Sequence, residues 1–229
     1  ATTLQNYLAC PAKFYYSTVK GLRAEEEVAE SLDYGMFGTI FHEAMRTLYA
    51  VDSLSIDYLK SWLSRDTEIR DLVKSLIMRE MNVLEVTGRN LVVADVIVKY
   101  VKKTLSSDME VLEENSASNF VIYGLENKFT RTVFGQKFKG YIDRLDSFAK
   151  NQARVVDYKT GKVLDDDVDI HDGNAEAIAD SIFAPDVKDR PKIAFQFFIY
   201  DYLLHQQPDV QDKTICNCVY STSKLFKEP

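Results

Sequence analysis

The pattern of apolar and polar positions divides the chain into a helical first half and a strand-rich second half. Apolar residues recur at helical spacing in MFGTIFHEAMRTLYA, residues 36–50, and again in SIDYLKSWL, DTEIRDLVKSLIMREMNVL and NLVVADVIVKYVKKTL. Before them, Thr2 or Thr3 can cap a short helix, and Pro11 suits the first turn of a second one, PAKFYYSTV. The sequence therefore predicts a mainly helical region over residues 1–115.

The pattern changes near residue 119. NFVIYGLENKFTRTVFGQKFKGYIDRLDSF is rich in β-branched and aromatic residues, with a turn signal at 134–135, and ARVVDYK follows a polar KNQ. We therefore expect three antiparallel strands between 119 and 159. A helix should begin at Pro191 and run to 206, and a last strand should cover 213–223. Residues 163–190 show no clear period, which predicts a long acidic loop.

These elements predict an α/β (α+β) fold. Its centre is a mixed, mainly antiparallel sheet from 119 to 159 plus the strand at 214–222, flanked by helices and covered by the N-terminal helical region. We interpret residues 1–229 as a single domain whose α/β core spans 116–229. The chain has no initiator Met and ends in SKLFKEP, so we expect it to be a fragment of a longer protein.

The charge balance narrows the class of protein. The chain has 28 Lys and Arg against 35 Asp and Glu, a net charge of −7. That balance argues against a protein that coats nucleic acid in general, but it leaves room for an enzyme with a local basic groove. Much of the acid lies in residues 23–30 and 164–180, which we expect to be solvated loops. No apolar run reaches the roughly 18–20 residues of a membrane helix, and no secretory signal is visible.

The three cysteines, Cys10, Cys216 and Cys218, are too few and too odd in number for a disulfide framework, which favours a reducing compartment. Cys216 and Cys218 share one face of the last predicted strand. They are either small buried apolar residues or a pair of metal ligands.

Candidate chemistry lies in two neighbouring segments, GYIDRLD and VVDYKTGK. If the chain folds back about Lys150, Asp143 and Asp157 lie opposite each other, with Cβ atoms roughly 4.5–5.5 Å apart. Two opposed carboxylates are destabilising unless a cation compensates them, and Mg²⁺ accepts one or two carboxylates plus a substrate phosphate. Lys159 shares the face of Asp157 and can orient a water and offset negative charge. The alternative is a surface Asp–Lys–Asp network worth at most about 1 kcal/mol per pair.

Five segments in order resemble the PD-(D/E)XK nuclease superfamily, in its RecB/AddB-like branch. They are LQNYLACPAKFYYSTVKGL, GTIFHEAM, GYIDRLD, VVDYKTGK and QFFIYDYLL. The resemblance covers nearly the whole chain and implies a restriction-endonuclease-like fold. It also implies that Asp143, Asp157 and Lys159 are catalytic.

The resemblance assigns further residues. His42 takes the place of a histidine that helps to hold the metal, which gives His42, Asp143 and Asp157 as metal ligands. Without the resemblance, however, a histidine on an amphipathic helix is more often a core or rim residue. Gln196 and Tyr200 are also implied to be catalytic residues: they are expected to face the active site, where they contact the DNA backbone or order the metal site. The alternative is that their segment is simply a core helix.

Two residues have weaker assignments. Glu126 resembles an acidic residue that some members place near the site, which makes it an accessory candidate, or else an ordinary surface residue. Arg144 can either meet a DNA phosphate or close a salt bridge.

The function implied by the resemblance is a Mg²⁺- or Mn²⁺-dependent DNA exonuclease that acts on single-stranded ends. Its expected setting is double-strand-break processing and recombination in the bacterial cytoplasm, with a helicase domain or subunit as partner and no membrane. Many members carry a [4Fe–4S] cluster, but three cysteines cannot supply its four ligands, and only Cys10 matches the pattern, so either the cluster is absent or its last ligands lie beyond Pro229. The alternatives are a stand-alone CRISPR-associated-type exonuclease, an endonuclease, and a scaffold that binds DNA or a partner without cleaving.

Overall fold

The structure is a computed structural model. It describes residues 2–23, 31–133, 135–163, 167–171, 173–184, 190–205 and 207–226. The chain forms two compact units. The larger consists of residues 29–129, 141–162 and 206–229, and the smaller of residues 1–28, 130–140 and 163–205.

The helices begin and end where local sequence signals place them. Asp33 and Ser55 each accept a hydrogen bond from the backbone N–H three residues later, which caps the helices that follow them. Pro11 occupies the first turn of its helix, where the missing N–H costs nothing. Among the described residues the helices are α1 (Thr2–Ala9), α2 (Pro11–Phe14, continued by a π-helical turn at Tyr15–Val19), α3 (Tyr34–Leu48), α4 (Ile56–Leu63), α5 (Asp66–Met81), α6 (Arg89–Glu114), α7 (Ala175–Phe183) and α8 (Lys192–Leu204).

The strands form one mixed sheet of five strands in the order β1-β2-β3-β4-β5. β1 and β2 are antiparallel, as are β3 and β4, whereas β4 and β5 are parallel. The strands are β1 (Ser53–Ser55), β2 (Asn119–Val133), β3 (Gln136–Ser147), β4 (Gln152–Lys159) and β5 (Thr214–Ser221). This mixed α/β architecture is that of the restriction-endonuclease-like fold, and it confirms the predicted fold class.

The core of the larger unit lies between helices α3, α5 and α6 and one face of the sheet. The helices contribute apolar rows at helical spacing, and the sheet contributes Phe120, Val156, Tyr158 and Tyr220. Phe41, Leu48 and Ile77 have no exposed surface. Because this face of the sheet is fixed against the helices, the opposite side chains of β3 and β4 are held in defined positions.

The smaller unit contains α1, α2, α7 and α8. Phe183 of α7 packs edge-to-face on Phe195 of α8, with ring centroids 5.8 Å apart. Gln5 of α1 donates its amide N–H to the carbonyl of Lys192 at 3.1 Å, and Arg131 donates to the carbonyl of Tyr202 at 2.7 Å. These contacts tie both α1 and the end of β2 to α8.

Two features differ from the predicted elements. The segment 163–190 was expected to be a loop, but Ala175–Phe183 forms a helix that buries Ile182. Much of the remaining acidic segment, 164–166, 172 and 185–189, lies outside the described residues, as do residues 24–30 of the first acidic run. β1 was not predicted, because a strand of three residues is too short to show an alternating pattern. None of the helices that the structure describes is both long enough and apolar enough to span a membrane.

Candidate metal centre

The β3–β4 hairpin brings the two predicted aspartates together. Arg144 pairs with Val156, and Leu145 with Val155, so the register is centred on Lys150 and leads next to Asp143 and Asp157. The Asp143 carboxylate lies within electrostatic reach of Asp157 and accepts the backbone N–H of Tyr158 at 2.8 Å. The predicted fold-back about Lys150 is confirmed.

His42 reaches the same point from helix α3. Its Nε2 lies 2.8 Å from the carbonyl oxygen of Tyr158. Because a carbonyl can only accept, Nε2 carries the proton in this contact. Nδ1 then faces two carboxylates, 3.4 Å from Glu126 and 3.5 Å from Asp143. A ligating histidine is commonly oriented in this way, with its second ring N–H given to a backbone carbonyl.

Glu126 is directed at His42 by an irregularity in strand β2. Its φ of 51° is left-handed, which is rare for a residue with a side chain and typical of a strand bulge beside a functional site. Gly124 lies close to this irregularity, and a Cβ there would contact the side-chain amide of Asn127, which would have to move aside. The backbone conformation thus turns an acidic side chain toward the imidazole.

His42, Glu126 and Asp143 form a group that fits a divalent cation. One ligand atom from each lies within 4.8 Å of the others. Burial, together with the charges of Asp157 and Glu126, raises the pKa of Asp143 to about 7, although His42 and the Tyr158 N–H oppose the shift. These carboxylates crowd one another in a poorly solvated place, and a cation with oxygen and imidazole ligands relieves that crowding.

The pKa of His42 responds to the same crowding. Burial lowers it, but the hydrogen bond that the protonated Nδ1 donates to Glu126 and the charges of Asp143 and Glu126 outweigh burial, so the pKa lies above its usual value. The protonated imidazole therefore partly neutralises the charge of the two carboxylates. A bound cation would replace its proton at Nδ1.

Asp157 and Lys159 form an ion pair at the end of strand β4. Nζ of Lys159 lies 2.6 Å from Oδ2 of Asp157. Asp157 is 2% exposed, whereas the Lys159 side chain keeps 28% of its surface. The candidate ligand group of His42, Glu126 and Asp143 does not include Asp157, so the role of Asp157 as a metal ligand stays a prediction.

The expectation that Arg144 contacts DNA is corrected by its position. The side chain is fully buried. It donates to both oxygens of Asp108 at 2.6 and 2.8 Å, and its Nε lies 2.7 Å from Asp146. A guanidinium with no exposed surface cannot reach a phosphate, so the salt-bridge alternative is the one that the structure shows.

Sequence reasoning missed how this buried network supports the centre. Arg144 also donates to the hydroxyl of Tyr158 at 3.1 Å, and the Tyr158 backbone holds both Asp143 and His42. Asp108 lies in the polar stretch SSDME of α6, where nothing distinguishes it from a solvated residue. Only packing reveals it, because its partners come from β3 and β5.

The remaining candidate residues are Gln196, Tyr200 and the three cysteines. Gln196 donates to the hydroxyl of Tyr200 at 2.5 Å, one turn apart on α8 in the smaller unit. Their roles at the active site stay predictions. Cys10 is exposed, while Cys216 and Cys218 are partly buried. Cys218 packs against the core of the larger unit, as expected of a small apolar residue.

Comparison with known proteins decides the family. The model of the PD-(D/E)XK nuclease superfamily matches residues 1–224. The chain belongs to the PD-(D/E)XK nuclease superfamily. An uncharacterized protein of Rickettsia conorii is 20% identical over 173 residues, which are 71% of this chain and 19% of that protein. The chain thus spans about a fifth of the length of the curated relative that it matches.

Membership of the PD-(D/E)XK superfamily agrees with the geometry of the centre. PD-(D/E)XK nucleases use divalent metals, and the chain holds an acidic and imidazole group that suits one. The acidic residues and the lysine that give the superfamily its name correspond to Asp143, Asp157 and Lys159 in the predicted assignment.

Proposed function

We propose that this chain is a divalent-metal-dependent deoxyribonuclease of the RecB/AddB-like branch, acting as an exonuclease on single-stranded ends. The observation that carries the proposal is the convergence of His42, Glu126 and Asp143 beside the Asp157–Lys159 ion pair. A surface network of charges would not require buried carboxylates, a left-handed Glu126 and an oriented imidazole.

His42, Glu126 and Asp143 would hold the metal, with Asp157 as a further candidate ligand from the predicted set. Mg²⁺ or Mn²⁺ suits these ligands, because two of the three supply carboxylate oxygens, the donors that both ions favour. When bound, such an ion lowers the pKa of a water and stabilises charge on the phosphate.

Lys159 is the proposed group that orients the attacking water. Its ammonium is partly exposed and is held by Asp157 at 2.6 Å, so it presents a fixed positive charge at the end of β4. That charge stabilises the additional negative charge that develops on the phosphate as the water attacks. Asp157 positions this ammonium, and Tyr158 between them fixes Asp143 and His42 through its backbone.

The wider setting is double-strand-break repair and recombination in the bacterial cytoplasm, with DNA as substrate and a helicase domain or subunit as partner. The length of the Rickettsia relative supports a nuclease region within a larger protein, since the matched part is 19% of it. The proposal needs no membrane and no [4Fe–4S] cluster.

The test is cleavage of end-labelled single- and double-stranded DNA with Mg²⁺, with Mn²⁺ and with EDTA. Wild-type protein should release label in either metal and not in EDTA, whereas Lys159→Ala should release none. Calorimetric metal titration of both proteins should give equal affinity, because Lys159 is not a ligand. If the wild type neither binds metal nor cleaves, the chain is a scaffold and the proposal fails.

A further inference from the structure

An open cleft lies against the candidate metal centre, within the larger unit. Its volume is about 530 Å³, and its walls are formed by Gly38, Thr39, His42, Glu43, Arg46, Glu126 and Tyr141. This volume is in the range of small-ligand sites. Because His42 and Glu126 are also candidate metal ligands, a group seated in the cleft lies directly beside the centre.

Tyr141 supplies an aromatic ring to this cleft. It is two residues before Asp143 on strand β3, and alternation places both side chains on the same face of the strand. Ile142 between them is fully buried, while Tyr141 keeps 50% of its surface exposed. A half-exposed ring beside a phosphate-cleaving centre suits stacking on a nucleobase, since every base offers a flat face.

Arg46 supplies positive charge to the same cleft. Its Nε and Nη2 donate to the two oxygens of Glu43 at 2.9 and 2.6 Å, and Arg79 lies 3.3 Å from the same carboxylate. Two guanidinium groups thus share the Glu43 carboxylate, so the charge of Arg46 is not fully neutralised by it; the other carboxylate in the lining, Glu126, is a candidate metal ligand whose charge a bound cation would offset. Glu43 takes two of the five N–H donors of Arg46, whose side chain is 49% exposed, so others can meet a phosphate.

We propose that this cleft binds an unpaired nucleotide next to the scissile phosphate, with Tyr141 stacked on the base and Arg46 on the adjoining phosphate. The inference rests on the proposed nuclease function and assigns residues to its preference for single strands. A base inside a duplex is already stacked on both faces and cannot lie on Tyr141. The cleft therefore selects single-stranded DNA.

The test compares steady-state cleavage of a single-stranded oligonucleotide and of its duplex by wild type, Tyr141→Ala and Tyr141→Phe. Losing one base–aromatic stack should raise KM for the single strand roughly 5-fold or more in Tyr141→Ala. Tyr141→Phe keeps the ring and should stay near wild type. Tyr34→Ala is the matched control, because Tyr34 is 95% exposed and lies outside the cleft.

A second arm tests the phosphate contact. Arg46→Ala should lower the slope of log affinity for the single strand against log salt concentration by about 1, the value for one lost phosphate contact. Arg79→Ala is its control, since Arg79 also pairs with Glu43 but does not line the cleft. Metal affinity, measured by calorimetry, should not change in any of these variants.

The outcomes separate the two ideas. If Tyr141→Ala cleaves the single strand with unchanged KM, or loses single strand and duplex equally, the nucleotide subsite is refuted while the nuclease stands. If wild type binds no metal and cleaves nothing, the proposed function fails and the subsite fails with it. A selective loss on the single strand, restored by Tyr141→Phe, supports the subsite.

Discussion

Replacing Asp108 by Ala should destabilise the larger unit far more than replacing another aspartate of the same helix. Asp108 is fully buried and binds both terminal nitrogens of Arg144, together with the hydroxyls of Tyr49 and Tyr220 at 2.6 Å each. Without it, the buried guanidinium of Arg144 keeps only one of its two carboxylate partners, Asp146. Breaking a buried pair from one side costs about 3–5 kcal/mol.

Asp95 provides the control, because it also lies in α6 and pairs with an arginine, Arg70. That pair is solvent-exposed, with 55% of the Asp95 side chain accessible, so its loss should cost at most about 1 kcal/mol. The gain in helix propensity from Asp to Ala is common to both variants and cancels. The difference isolates the effect of burial.

The assay is thermal and urea unfolding followed by tryptophan fluorescence. The sequence has a single tryptophan, Trp62, which packs against the core of the larger unit and therefore reports on its unfolding. For a chain of this size, 3–5 kcal/mol corresponds to a fall in Tm of roughly 6–20 °C. If Asp108→Ala and Asp95→Ala differ by less than about 1 kcal/mol, the reasoning about the buried network is wrong.

Four further predictions follow from the same structure. Asp157→Ala and Lys159→Ala should each abolish cleavage while circular dichroism stays unchanged, and near-full activity in either would remove the proposed mechanism. Glu126→Gln should weaken divalent-metal binding by at least about tenfold in calorimetry, and an unchanged affinity would exclude it as a ligand. The pKa of Asp143 is raised to about 7, so protonation of Asp143 stabilises the metal-free fold; this stabilisation is fully present below the usual pKa of 3.8 and is lost as the pH rises through 7. A metal ion competes with that proton, so the increase in Tm on adding Mg²⁺ should be larger at pH 8 than at pH 5.5. Equal increases at the two pH values would contradict this prediction. The pKa of Asp108 is lowered to about 2, because the charge of Arg144 outweighs the effect of burial. The ionised carboxylate therefore stabilises the fold above about pH 4, and this stabilisation is lost as the pH falls from 4 to 2. Unfolding curves of the wild type should show that loss of free energy, and those of Asp108→Ala should not.

The pairing of Asp143 with Asp157 could be predicted from sequence because it depends on local rules. Strand alternation fixes which side chains share a face, and a short polar turn fixes the register. The observed pairing of Arg144 with Val156 is the one that this reasoning requires. The helices α3 to α6 were predictable for a similar reason, because the spacing of apolar residues that predicts each helix lies within one continuous segment.

Arg144 shows where local rules stop. Its neighbours in the sequence are compatible with a surface position, and the choice between a phosphate contact and a salt bridge depends on a partner 36 residues away in α6. Glu126 is a second case, because its orientation follows from a left-handed backbone that no propensity signals in GLENKF. The helix α7 escaped prediction because its nine residues are embedded in an acidic stretch without a clear period.

The sequence by itself determined helices α3 to α6, strands β2 to β5 and the hairpin of Asp143 and Asp157, since each depends on residues close together in the chain, and its five short segments carried the superfamily resemblance. Only the tertiary structure decided that Glu126 joins His42 and Asp143, that Arg144 is buried, and that Tyr141 lines a cleft beside the centre. These features depend on which faces of separate elements meet. That meeting is set by the packing of the whole core and not by any single segment.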